Sequence, residues 1–301
     1  MSPEIQLESS PLPCRPTAAL AARLTRVAVE AASQVRVHFG LGPASTISPF
    51  DLAAHMGIVV RFDRIRGIEA IYSPEPEPTI TLTSQVSLSR RRHRCAQQIG
   101  NHVFAHGLRV YRPASEQDDG RDPADVLAER FAIELLMPQS AIDSAFSRRG
   151  CEVGLVNPLE LYTIAQDLGV EYGRLVEAVA HTLGGPCTDQ VRRLRSAGSR
   201  LPSVRASLAG FPVEGDLVVA DRNWGDRPID VEVGDTILCP DLAHVSGRCI
   251  RFRFRPRPHF VATAPGSGAV ELAPGRAPTQ VRVDRWGSAN PPPHRVRACP
   301  A

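Results

Sequence analysis

Lysine is absent from this chain: all 35 of its basic residues are arginine. That bias follows from coding composition as readily as from ligand chemistry, so charge alone names no partner. No apolar run approaches the ~18 residues that a membrane span needs, and the stretch from Met1 to Pro16 has no apolar signal core. A cytoplasmic protein without a membrane partner is therefore expected. The seven cysteines (14, 95, 151, 187, 239, 249, 299) are odd in number and form no CxxC pair. That argues against a disulfide framework and a cysteine-type zinc site, and leaves buried reduced thiols as the expectation.

What is present fits a globular protein: 301 residues, 43% of them hydrophobic, enough for a sizeable core and about two domains. The net charge of +3 is unevenly spread. From Arg248 onward ten arginines face only Glu271 and Asp284, a local balance of +8, so residues 1–247 carry about −5. A basic terminal domain is one footprint of nucleic-acid binding.

Residues 1–15 read as a flexible lead-in. Thr17 is a candidate cap for a helix to about His38, with Leu20, Leu24, Val27, Ala31 and Val35 at helical spacing. A short helix, Asp51–Met56, opens after Ser48-Pro49 and is stopped by Gly57. Strand-like runs follow at Ile58–Phe62, Ile68–Tyr72 and Thr79–Leu82. The next helix is predicted from Ser89 to Gly107, with Arg90, Arg91, Arg92 and Arg94 read as a solvated basic face or, alternatively, an anion contact. After a polar loop over 108–122, Pro123 suits the first turn of a further helix running to Pro138.

On the first of these two helices, Gln97, Gln98 and Asn101 hold the spacing of HExxH. In that signature two histidines bind zinc from one helix face and the glutamate is general base to the bound water. The spacing survives; the residue types do not. The second helix reads Asp125-x-x-Ala128-x-x-Phe131-Ala132-x-x-Leu135-Leu136-Met137-Pro138. Together the two segments resemble the ImmA/IrrE family of metallopeptidases, whose pattern is close to HELGH followed by E-x-x-A-x-x-F-A-x-x-L-L-M-P. The resemblance spans roughly residues 16–185. It implies a zincin-like fold, a small sheet beside the active helix, and a helix-turn-helix transcriptional repressor as partner. It also implies zinc-ligand positions at Gln97, Asn101 and Asp125, with the general base at Gln98.

Amide oxygens are poor zinc ligands, and glutamine accepts no proton near neutral pH. A pseudo-peptidase without a cofactor is the expectation, with an active zinc endopeptidase as the alternative. That alternative would need a shifted site built from His102 and His106, four apart, with Asp125 or Glu129. Against it, position 103 is valine and this pair lies about 140° around the helix from Gln97 and Asn101. The substrate cleft is expected to keep its shape without zinc, because Ile99, Phe131, Leu135 and Leu136 supply packing that needs no metal.

A short helix is read at Ser140–Phe146, then two helical halves around Leu168-Gly169-Val170 that look like a helix-turn-helix. Its second half offers two acids and one arginine, so a packing or partner-docking element is expected rather than a DNA reader. Residues 186–205 read as a linker. Beyond it, strand candidates at Asp216–Asp221, Ile229–Val233, Thr236–Cys239, Cys249–Phe254, Phe260–Ala264 and Gln280–Val283 suggest a β-sandwich or barrel. The run Arg251-Phe252-Arg253-Phe254-Arg255 alternates, so Ile250, Phe252 and Phe254 are expected inward and the arginines outward. The sharper alternative is an arginine stripe (Arg251, Arg253, Arg255) gripping single-stranded nucleic acid, with phenylalanine or Trp286 stacking.

The expected architecture is thus α+β. A zincin-like helical domain with a small β-sheet covers 16–150, a helix-turn-helix-like segment 151–185, a β-rich domain 206–288 and a disordered tail 289–301.

Overall fold

The computed structural model describes residues 18–113, 122–182, 188–225, 227–242 and 244–284. The expected lead-in, most of the 108–122 loop, Trp286 and the expected tail lie outside them. Helices and sheets are mixed throughout, an α+β arrangement.

Helix α1 (Ala18–His38) is followed by α2 (Pro49–His55), which starts where Ser48 Oγ accepts from the Asp51 amide. Strands β1 (Val59–Asp63), β2 (Ala70–Ser73) and β3 (Thr79–Thr83) then form a sheet completed by β4 (Arg109–Tyr111) in the order β1-β3-β2-β4. Only the β1–β3 pair is parallel. Strand β4 lies inside the stretch expected to be a polar loop. It is three residues long, below what alternation can reveal, and β2 supplies its partners. Helix α3 (Leu88–Val103) and helix α4 (Pro123–Leu136) pack on each other, with α1 against α4 and β2 and β3 against α3.

Helices α5 (Gln139–Arg148), α6 (Pro158–Leu168) and α7 (Tyr172–Thr182) continue the helical part. A capping box of Asn157 and Glu160 opens α6, and Gly169 at φ 72° closes it, a conformation that costs glycine little. The expected linker over 186–205 is instead α8 (Asp189–Gly198) and the first half of α9 (Leu201–Ala209). Its Arg/Ser/Gly composition hides a narrow apolar stripe of Val191, Leu194, Ala197 and Val204, all buried.

The remaining strands are β5 (Leu217–Val219), β6 (Ile229–Glu232), β7 (Thr236–Leu238), β8 (His244–Ser246), β9 (Ile250–Arg253), β10 (His259–Ala262), β11 (Gly266–Glu271) and β12 (Thr279–Asp284). They make two four-stranded sheets, β5-β7-β10-β9 and β6-β12-β11-β8. A core of Trp224, Ile229, Val231, Phe260, Val270 and Val283, among others, is buried with them. Leu217, Val219 and Leu238 belong instead to the large core that runs through the helices, so the β-part is seated on the helical part by shared apolar burial. Among the described residues no helix is long and apolar enough to cross a membrane.

Two charge expectations are corrected. The arginines at the start of α3 are not a solvated face: Arg91, Arg92 and Arg94 are buried and paired with Glu232, Asp230 and Glu69. On β9, Ile250 does face inward, but Phe252 and Phe254 are exposed, because β9 is an edge strand and nothing among the described residues covers them.

Candidate functional site

Helix α3 is positioned by its cap, where Ser87 Oγ accepts from the Arg90 amide at 3.4 Å. Helix α4 starts at Asp122, which caps the Ala124 amide, followed by Pro123. The two helices meet at Gly100. A Cβ there would stand 3.0 Å from Phe131 Cδ1 and 3.3 Å from Ala128 Cα, so the register of α3 on α4 depends on a residue without a side chain.

That register brings Gln97, Gln98 and Asn101 into the interior, at 2%, 0% and 0% exposure. Each amide oxygen is engaged. Arg94 Nη1 donates to Gln97 Oε1 at 2.7 Å, and Asn101 Nδ2 donates to Gln98 Oε1 at 2.8 Å. His106 Nδ1 donates to Asn101 Oδ1 at 2.9 Å, in a turn where the chain folds back through Ala105 at φ 52°. Asn101 Nδ2 also lies 3.4 Å from the Tyr111 hydroxyl, which donates to Asp125 Oδ1 at 2.8 Å. Asp125 therefore joins the cluster through Tyr111. Gln98 Nε2 has no partner among the described residues.

The electrostatics follow from this packing. Burial, with the Asp125 charge beside it, holds the Tyr111 phenol well above its ordinary value, so it stays a neutral donor. Burial and then Arg109 push the His106 imidazole down, against weaker pulls from Asp122 and Asp125. Arg109 itself pairs with Asp122 at 2.7 Å and lies 3.8 Å from Asp125. Solvent reaches the cluster at the Asp125 side chain, 38% exposed, and at the half-buried Arg109 and His106.

The substrate cleft was expected to keep its shape; among the described residues these three positions are closed to solvent, with Arg94 bonded to Gln97 and with Tyr111 and His106 bonded to Asn101. Zinc asks for imidazole, thiolate or carboxylate lone pairs. At Gln97, Gln98 and Asn101 the lone pairs offered are on amide oxygens that already accept N–H bonds, one from a guanidinium, and the nearby Asp125 carboxylate accepts from Tyr111. None of the three side chains takes up a proton at neutral pH, so none can act as a general base.

The shifted set is not brought together. His102 Nδ1 shares a hydrogen bond of 2.8 Å with the Tyr72 hydroxyl, and burial lowers its pKa. His106 turns to Asn101. Glu129 accepts from His93 Nε2 at 3.0 Å and pairs with Arg174; burial would push its carboxyl up, but His93 and Arg174 hold it well below the usual carboxylate range. Among the described residues no three His, Cys, Asp or Glu side chains are grouped to hold one ion. At the C-terminal end of α3 a pocket of about 570 Å³ is lined by His38, His55, His102 and apolar residues of α1, without Gln97 or Asn101.

Sequence reasoning missed Arg94, Tyr111 and Arg109 as members of the cluster. Tyr111 was hidden in the supposed loop, and nothing in spacing tied it to Asp125. Arg251, Arg253 and Arg255 lie exposed on and just beyond β9, far along the chain from this cluster.

Residues 53–183 match the family model described as the IrrE N-terminal-like domain, Peptidase_M78, and the chain carries that domain over this span. No curated protein matches the chain. A solved structure similar to part of it, a Mycobacterium tuberculosis transcriptional regulator, shares 16% identity at a TM-score of 0.36. The likeness covers 57% of this chain and 51% of that one, so the chain spans about half the length of that structure.

Proposed function

We propose that this is a non-catalytic regulatory protein of the ImmA/IrrE type: a zincin-like domain that has exchanged its metal chemistry for a neutral hydrogen-bonded core. One observation carries the reading. Every amide oxygen at the degenerate positions is committed to a donor within the fold, and all three residues are closed to solvent. Such a cluster holds the two helices in place; it neither binds a catalytic zinc nor activates water. The partner is a protein of the kind that an active relative cleaves, most simply a helix-turn-helix transcriptional repressor. It docks on the surface around the closed site, where Asp125 is accessible. The α6–α7 pair, with Glu171, Arg174 and Glu177 on its second helix, serves as a helix-turn-helix-like docking element for a protein, not for a phosphate-lined groove.

The test is metal content by mass spectrometry on the purified full chain, beside the triple variant Gln97→His, Gln98→Glu, Asn101→His. The natural protein is expected to carry far less than one zinc per chain and the variant about one, since the substitutions restore two imidazoles and the base. Stoichiometric zinc in the natural protein, with chelator-sensitive cleavage of a repressor, would sink the reading in favour of an active endopeptidase.

A further inference from the structure

We propose that edge strand β9 and the turn after it form a binding site for single-stranded nucleic acid. Arg251, Arg253, Arg255 and Arg257 would meet phosphates while Phe252 and Phe254 stack on bases. The site is separate from the α3–α4 cluster and does not depend on the reading given for it.

Four features of the strand point this way. It is the last strand of its sheet, so one backbone edge has no neighbour among the described residues. Residues 251–258 form an unbroken exposed run. Within it Phe252 is 46% and Phe254 72% exposed, although burying a phenylalanine ordinarily gains about 1.5–3 kcal/mol. The two rings form a shallow apolar step. Phe252 leans on buried Phe260, centroids 5.2 Å apart, and Phe254 stands 6.5 Å beyond it.

The charges add to this. Several arginines elsewhere are paired with carboxylates (Arg91, Arg92, Arg94, Arg149 and Arg282), and buried Arg36 and Arg227 donate to backbone carbonyls. None of the four on this strand and turn has a carboxylate partner among the described residues. They are uncompensated cations in water, and pleating repeats Arg251 and Arg253 about 6.8 Å apart along the strand. That is of the order of the step between phosphates in an extended single strand.

A structural explanation covers only half of this. Charged residues on an edge strand discourage pairing with another chain, which would account for the arginines. Two exposed phenylalanines have the opposite effect, so edge protection does not explain both. Pleating sends the arginines and the rings to opposite faces of β9, and at an edge strand both faces flank the same open edge, where a single strand with unstacked bases can set phosphates on one side and bases on the other. A duplex keeps its bases paired and offers nothing for Phe254 to stack on.

The experiment is fluorescence anisotropy with the full chain and labelled strands of about 20 nucleotides. DNA, RNA, a duplex of the same sequence and heparin are compared over a salt series. A single strand, DNA or RNA, is expected to bind more tightly than duplex or heparin. With three or four phosphates neutralised, the log–log salt slope should be about −2 to −3. Phe254→Ala should weaken binding about tenfold with the slope unchanged, Phe254→Trp should retain it, and Arg253→Ala should reduce the slope by about 0.7. Phe254 is too exposed for its loss to unfold the chain, and a circular dichroism melt of each variant checks this. No binding, equal binding to heparin or duplex, or full affinity in folded Phe254→Ala would each overturn the proposal.

Discussion

Gln98 shows how a neutral amide is held in this interior. A carboxylate at a fully buried position needs a cation or several donors beside it. The amide needs neither, and its oxygen is satisfied by Asn101 Nδ2 at 2.8 Å. Asn101 is the hub, because its two polar atoms reach Gln98, Tyr111 and His106. Asn101→Ala removes all three contacts and leaves Gln98 with neither polar atom paired. Each buried polar group left without a partner costs about 1–3 kcal/mol. Asn101→Ala is therefore expected to lower unfolding stability by about 2–4 kcal/mol in urea titration. A loss below about 0.5 kcal/mol would mean that these amides are hydrated rather than bonded to one another.

At the level of elements, the close approach of α3 and α4 is set at Gly100. Phe131 is fully buried and packs edge-on against Phe104 at 5.8 Å, so it cannot easily yield to a new side chain. Gly100→Val is expected to destabilise the protein by about 2–3 kcal/mol, an overpacking cost that outweighs the gain in helix propensity. An unchanged thermal midpoint would show that the helices can slide. Helix α3 was legible from the HExxH spacing and α4 from Pro123 in its first turn, whereas their caps, Ser87 and Asp122, were not read: α3 was expected from Ser89 and begins at Leu88. Strands β1 to β3 were legible from β-branched runs between glycine and proline turns. Strand β11 begins Gly266-Ser267-Gly268, with no strand-forming side chain to read; Gly268 reflects how near β8 lies, since a Cβ there would stand 2.5 Å from the Ser246 carbonyl oxygen. Helices α8 and α9 were obscured by arginine and serine around one thin apolar stripe. The QQIGN spacing was legible at the candidate site, whereas its closure by Tyr111 is tertiary; Arg94 reaches Gln97 within the same helix, an i,i+3 contact that the reading of a solvated basic face overlooked. On β9 the strand was legible, but the inward face expected for Phe252 and Phe254 was not found, because alternation cannot say whether anything covers a face.

Across the whole molecule, charged residues hold the helical part to the β-part, and their partners lie too far apart in sequence for any local pattern to pair them. Arg91 and Arg92 of α3 reach Glu232 at 2.6 Å and Asp230 at 2.9 Å, 141 and 138 residues away. Asp230 also accepts from Arg282 Nε at 2.6 Å, and Arg282 in turn grips Asp51 of α2 at 2.6 Å. Strand β6 is thus tied to both α2 and α3, the helix of Gln97, Gln98 and Asn101. A buried ion pair is not by itself a source of stability, but removing one partner strands the other, at about 3–5 kcal/mol. Burial alone would push the Asp230 carboxyl up; Arg92 and Arg282 hold it down to about 2. A carboxylate depressed on folding contributes stability above its unfolded value, about 3.9, and loses it as pH falls through the folded value. The Asp230 contribution should therefore be complete at neutral pH and disappear between about pH 4 and pH 2. Asp230→Asn is expected to lose about 3–5 kcal/mol at pH 7, and its deficit relative to the natural protein should shrink steadily below about pH 4. Urea midpoints for the two proteins at pH 7, 4 and 2.5 check this. Converging midpoints would place the charge of Asp230 at the junction of the two parts, whereas a constant gap down to pH 2.5 would mean that packing alone joins them.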